Sequence, residues 1–223
     1  MNIYNKQLSK SYSDLRQNFT SPDSQTLGEF YKIGIKDKKV LDFGCGDGRY
    51  SIKFVEDGAE EVVGVDTSSA MIELAEKRHK EEKLPIKFIE IGDKIPFGDD
   101  YFDAIFSNFV IHYILDIFST FKELNRVLKP NGHFVAILNA FKIKDGANID
   151  KNTPVKITLG EGENSLELNI LPKTEEEIID NLKRAGFTYV TYDHVTNQDA
   201  KINPNYVNKD KITMDTILFN AVK

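Results

Sequence analysis

Residues 40–50 read VLDFGCGDGRY. A short apolar run holding Asp42 leads into glycines at 44, 46 and 48. A glycine-rich turn after a strand lets a ligand lie against bare backbone. A dinucleotide pyrophosphate is the common occupant; its fingerprint is G-x-G-x-x-G, with the phosphates at the start of the next helix. Here the spacing is G-x-G-x-G, and Asp42 and Asp47 both set negative charge against a phosphate. Asp42 would instead favour an ammonium or another positive group. The turn reads as a site for a cationic or zwitterionic nucleoside.

The flanking sequence predicts how this turn is carried. From residue 38 to 139, short apolar runs alternate with helical patterns. KKVLDF, EVVGVD, IKFIEI, FDAIFSN and HFVAILN are strand candidates, and RYSIKFVEDG and SSAMIELAEKRHKEE are helix candidates. Ile117, Phe121, Leu124 and Leu128 recur at helical spacing, and Pro130 predicts that this helix ends at Lys129. Continuous apolar strands alternating with helices imply a parallel, doubly wound α/β sheet covered on both faces. Residues 140–154 are polar and read as loop. VKITLGEGENSLELNI alternates on both arms and predicts a β-hairpin turning at 160–164. Thr174 and Glu177 form a capping-box pattern ahead of a helix stopped by Gly186. FTYVTYDHV and TILFNAV supply a last, antiparallel pair of strands, and residues 4–34 read as two short helices over an edge or mouth. The expectation is one domain over 1–223, with a helical lid (1–36), a cofactor-binding core (37–140), an inserted loop and hairpin cap (141–172) and a C-terminal helix with strands (173–223).

In open α/β sheets, ligands bind beyond the carboxyl ends of the strands where strand order reverses. EVVGVD ends in Asp66, about 20 residues past the turn, where a carboxylate can accept from both hydroxyls of a ribose. Asp42, the turn and Asp66 together point to S-adenosylmethionine, which joins an amino acid and a sulfonium to adenosine. VLDFGCGDGRY, VVGVDTSSAMIELA, IPFGDDYFDAIFSNFVIHYILD and LKPNGHFVAI resemble, in order and spacing, the class I S-adenosylmethionine-dependent methyltransferases, nearest to the small-molecule, type 11-like enzymes. The resemblance implies a Rossmann-like seven-stranded sheet whose last strand is antiparallel. It implies cofactor contacts from Asp42, from Gly44, Cys45, Gly46 and Gly48 of the turn, from Asp66, and from Thr67 and Met71 around the adenine. Asn108 would lie near the methionine part, and Tyr12 resembles a lid tyrosine that meets the cofactor carboxylate. Family members often place an acid before the I/L-P-F segment to meet the adenine amino group. Ungapped counting puts Ile91-Gly92 there and a shorter loop puts Asp93 there, so Gly92 (through its backbone) and Asp93 are both candidates.

His112, in SNFVIHYILD, is the candidate catalytic base, with a pocket-lining role as the other reading; Tyr113 lines the pocket or packs. His79 and His133 read as structural or solvated, and the four scattered histidines give no metal-ligand spacing. Cys45, the only cysteine, excludes an internal disulfide and fits a reducing compartment. No apolar core of signal-peptide length and no run of about 18 apolar residues occurs, so a cytoplasmic location without membrane contact is expected. A net charge of −6 and the absence of an Asn/Asp-Pro-Pro-aromatic motif after the fourth strand argue against nucleic-acid substrates. The expected partner is a small-molecule acceptor of a methyl group at O, N or C, with S-adenosylhomocysteine as by-product. The competing readings are an NAD-dependent oxidoreductase, a protein methyltransferase, and a noncatalytic cofactor-binding subunit whose hairpin docks another chain.

Overall fold

The computed structural model describes residues 6–16, 23–80, 84–144, 150–159, 165–195, 200–202 and 212–223. In chain order the elements are α1 (Lys6–Arg16), α2 (Asp23–Tyr31), β1 (Lys39–Phe43), α3 (Arg49–Glu56), β2 (Glu61–Asp66), α4 (Ser69–His79), β3 (Ile86–Glu90) and β4 (Phe102–Asn108). A short 3-10 helix, Ile111–Tyr113, precedes α5 (Ile117–Val127), β5 (Leu128–Ile143), β6 (Val155–Leu159) and β7 (Leu166–Ile170). The chain continues through α6 (Glu175–Arg184), β8 (Tyr189–Val195), β9 (Ala200–Ile202) and β10 (Ile212–Val222). The main sheet has seven strands in the order β3-β2-β1-β4-β5-β10-β8, and β10, the last in sequence, is antiparallel to both its neighbours. The expected seven-stranded, doubly wound sheet is therefore present. Strand order reverses between β1 and β4, which opens the crevice there.

Alternation along each strand divides the core between two faces. Val40, Val62, Ala104, Phe106 and Ile137 pack under Phe30 of α2 and Phe54 of α3. Leu41, Val63, Ile105, Phe134 and Leu138 pack against Phe121 and Leu124 of α5 and Ile178 and Leu182 of α6. Each of these Val, Leu, Ile and Phe side chains stabilises the fold by about 1.5–3 kcal/mol. Phe106 meets Phe30 and Phe54 with ring centroids 5.2 and 5.1 Å away, which holds α2 over the end of β4.

The structure departs from the sequence reading at several boundaries. α5 ends at Val127, and Leu128 is already extended (ψ 136°), pairing with Phe102 before a register shift to Ala104 opposite His133. The helix thus ends two residues earlier than expected, where Leu128 begins to pair with β4. β5 runs on to Ile143, where 140–154 had been read as loop, because β10 pairs with it from Ile212 opposite Ile143. The hairpin is present, with Val155 opposite Ile170 and Leu159 opposite Leu166, and its turn at 160–164 lies outside the described residues. It is two strands of a separate sheet, β7-β6-β9, whose third strand carried no sequence signal. Thr174 caps α6 by accepting from Glu177 N at 3.2 Å, but the Glu177 carboxylate reaches Lys151 at 2.8 Å instead of closing the capping box. Thr174→Ala is expected to cost about 1 kcal/mol in urea denaturation, the usual loss for an N-cap side chain.

Candidate cofactor and acceptor site

The glycine turn crosses from the end of β1 to α3 in a left-handed backbone, with φ of +75° at Gly44 and +55° at Gly46. The N–H groups of Gly44 and Cys45 donate to Val65 O at 2.8 and 2.9 Å and tie the turn to β2. Gly46 N donates to Asp66 Oδ2 at 3.0 Å and Ser68 N to Asp66 Oδ1 at 2.9 Å. Burial still raises the Asp66 pKa, against those hydrogen bonds and one from the Thr67 backbone. A Cβ built on Gly46 meets nothing within 4 Å, so this glycine faces open space. One on Gly44 would strike Val110, with Cγ1 at 2.7 Å, Cβ at 2.9 Å and Cγ2 closer still.

The two aspartates at the turn, Asp42 and Asp47, differ. Asp42 lies under the turn, 1% exposed, with Ser51 Oγ donating to its Oδ2 at 2.6 Å. Burial pushes its pKa up to about 7, and the charges of Asp66 and Asp47 add to the rise against the Ser51 hydrogen bonds. Asp47 does not present free charge to a ligand. Arg49 Nη2 and Arg78 Nη2 meet its Oδ2 at 2.8 and 2.9 Å, and Ser13 Oγ of α1 donates to the same oxygen. Burial alone would raise its pKa, but Arg49, Ser13 and Arg78 hold it below the usual carboxylate value. The electrostatic case against a phosphate therefore loses Asp47 and rests on Asp42. Arg49 Nη2 also donates to Ser13 O at 3.0 Å, so this cluster fastens α1 to the turn. Sequence reasoning missed Ser13, Ser51 and Arg78, and no spacing pattern links them to the turn.

At the end of β4, Asn108 Nδ2 donates to Asp23 Oδ1 of α2 at 3.2 Å and to the Tyr50 hydroxyl of α3 at 3.4 Å, while Tyr50 donates to Asp23 Oδ2. Phe109 follows with φ +59°, a conformation that costs a non-glycine residue roughly 1–3 kcal/mol and is commonest at functional sites. His112, in the 3-10 helix, is 1% exposed, its ring 4.4 Å from that of Tyr113. The backbone N–H of Asn139 donates to His112 Nδ1 at 3.3 Å. Burial, and then the charge of Lys173, bring the His112 pKa down to about 3.

Beyond His112, the small sheet closes an apolar cluster of Phe141, Val155, Ile157, Leu168, Ile170 and Ile212, with Tyr12 of α1 and Tyr113 packed on it. Tyr12 thus joins α1 to the small sheet. The hairpin's apolar face is buried here, which removes the docking surface that the subunit reading required. Met71 and Cys45 are buried, and burial raises the Cys45 thiol pKa well above its usual value. Thr67, Gly92 and Asp93 are exposed at the mouth beside β2 and β3. Among the described residues no cluster of metal-ligating side chains occurs, and no helix is long and apolar enough to cross a membrane.

This sheet order with a glycine turn at the β1–β4 crevice defines a Rossmann-like, doubly wound domain. Residues 41–136 match the family model described as a methyltransferase domain. Over that segment, which is less than half of its length, the chain is similar to methyltransferases. It is similar to the malonyl-[acyl-carrier protein] O-methyltransferase of Legionella pneumophila, 37% identical over 103 residues that cover 45% of this chain and 36% of that protein. The chain spans less than half the length of the curated relatives it matches. In fold it is similar to phosphoethanolamine N-methyltransferase 2 of Haemonchus contortus (TM-score 0.72, 19% identity, 99% of this chain and 58% of that one). It is also similar to the [4+2]-cyclase SpnF (TM-score 0.68, 16% identity, 90% and 81%).

Proposed function

We propose that this protein binds S-adenosylmethionine in the β1–β4 crevice and transfers its methyl group to a small-molecule acceptor in the cytoplasm. The observation that carries the reading is the open backbone at Gly46, bonded to Asp66, above the buried acid Asp42. Bare amide backbone above a buried acid favours an amino-acid nucleoside over a diphosphate, and Asp66 suits its ribose. Gly44 to Gly48 would carry the amino-acid part, Asp66 the ribose, and Thr67, Met71, Gly92 and Asp93 the adenine. The chain would act as one domain, with α1 and the small sheet closing the acceptor side. The acceptor lone pair attacks the methyl carbon as the C–S bond breaks, leaving the neutral thioether S-adenosylhomocysteine. Orientation and exclusion of water supply most of the acceleration. Calorimetry should show uptake of S-adenosylmethionine and S-adenosylhomocysteine, and labelled cofactor with pooled acceptors should yield S-adenosylhomocysteine. Tight NAD binding with neither adenosyl ligand bound would overturn the proposal.

His112 enters as a positioning donor and not as the candidate base. A backbone N–H can only donate, so Nδ1 must offer its lone pair to Asn139 and the neutral ring carries its proton on Nε2. A pKa near 3 leaves it neutral from pH 5 to 8. Nitrogen-15 NMR of the imidazole should report the Nε2–H tautomer with no titration across that range. A titration midpoint near 6.5 would restore the base.

A further inference from the structure

The Asn108 amide has an orientation that its surroundings dictate. Both groups near its Nδ2, the Asp23 carboxylate and the Tyr50 hydroxyl oxygen, accept from it, and Tyr50 has already committed its proton to Asp23. Turning the amide over would set its oxygen against a carboxylate. Asn108 Oδ1 therefore points the other way, where it is shut off from solvent and accepts no hydrogen bond among the described residues. A buried carbonyl oxygen without a donor is costly, and one held in place by two neighbours is suited to receive a donor from a ligand.

Register places that oxygen. Asp42 pairs with Phe106 across β1 and β4, which puts Asn108 level with Gly44 at the entry of the glycine turn. Asp42, Phe106 and Asn108 share the sheet face that α2 and α3 cover, so Asp23, Asp42 and the Asn108 oxygen lie on the same side of the crevice. The ligand donor that fits this electron-rich corner is a cation bearing N–H groups.

We propose that Asp23 and Tyr50 are positioning residues that aim Asn108 Oδ1 at the α-ammonium of the cofactor. The inference rests on the function proposed above and extends it to the second lid helix, which no motif connected to the site. Because Asp23 opens α2, the helix pinned by Phe30 on Phe106, recognition of the amino-acid end is coupled to the docking of this helix. The adenosine end depends on other elements and is indifferent to Asp23.

The test compares three ligands by calorimetry on the wild-type chain and on Asp23→Ala and Tyr50→Phe. S-adenosylhomocysteine carries the ammonium, its deamino analogue keeps the carboxylate without it, and 5′-methylthioadenosine lacks the amino-acid end. Asp23→Ala is expected to weaken S-adenosylhomocysteine roughly tenfold or more and Tyr50→Phe by a smaller factor. The other two ligands should bind within about twofold of wild type, which also reports that the variants fold. Equal losses for all three ligands, or no loss for S-adenosylhomocysteine, would overturn this inference and leave the proposed function standing. If the wild type binds 5′-methylthioadenosine and S-adenosylhomocysteine equally well, no ammonium is read and the inference falls. Failure of the wild type to bind any of the three overturns both.

Discussion

Asp42→Asn is expected to make the unliganded protein more stable at pH 8 while weakening its hold on S-adenosylmethionine. Asp42 is sealed under the glycine turn with Ser51 as its hydrogen-bond donor, and its pKa stands at about 7 against a usual 3.8. Below pH 3.8 both folded and unfolded chains hold the proton. Between 3.8 and 7 the unfolded chain gives it up and the folded chain keeps it, so stability falls as pH rises and levels off above 7. The displacement corresponds to an upper bound of about 4 kcal/mol. An asparagine can still accept from Ser51 Oγ but carries no charge, so it escapes this loss. The gain expected at pH 8 is about 2–4 kcal/mol, shrinking toward zero near pH 4, as read from urea midpoints at the two values. Affinity for the cation should fall roughly tenfold or more, the pattern of a site held at a cost in stability. If the asparagine variant gains the same increment at both pH values, the buried charge is not the cause. If it binds the cofactor as well as wild type, the electrostatic argument for the ligand fails.

Much of this site could be read from the chain because it is local. The G-x-G-x-G turn lies between an apolar strand and a helix, and the three glycines at 44, 46 and 48 all adopt the left-handed backbone that glycine makes cheap. Asp66 could be placed because strand ends are marked by where apolar runs stop. The rest depends on contacts that sequence spacing does not encode. Arg78 reaches Asp47 across 31 residues and Asp23 reaches Asn108 across 85, and each pair exists only because the helices dock as they do. The charge count of the turn therefore came out too negative. His112 illustrates the same limit: residue type and place suggested a base, and only the N–H of Asn139, 27 residues away on the adjacent strand, decides which ring nitrogen holds the lone pair. The boundary errors have a related cause. Ala140–Ile143 read as loop because their pairing partner, Ile212–Asp215, lies about seventy residues away and was itself not read as strand.

Gly44→Ala and Gly46→Ala should separate the two tasks that the turn performs. At Gly44 a methyl group would overlap the whole isopropyl group of Val110, whose own backbone follows the strained Phe109. The left-handed conformation adds about 1–2 kcal/mol for any L side chain, and overpacking adds about 1–3 kcal/mol. A loss of about 2–5 kcal/mol is a large part of the roughly 5–15 kcal/mol that holds a typical domain together. Gly44→Ala is therefore expected to lower the urea midpoint sharply, and ligand affinity with it. At Gly46 the backbone penalty is of the same kind, but the methyl group meets nothing within 4 Å. Gly46→Ala should cost the unliganded protein only about 1–2 kcal/mol. If the open side of Gly46 is where the cofactor lies, that methyl group occupies the ligand's place, and S-adenosylhomocysteine affinity should fall roughly a hundredfold despite a nearly normal melt. A Gly46→Ala protein that is stable and still binds would mean that the ligand approaches from elsewhere. A Gly44→Ala protein with unchanged stability would mean that Val110 moves aside freely, so the entry to the crevice is softer than its packing indicates.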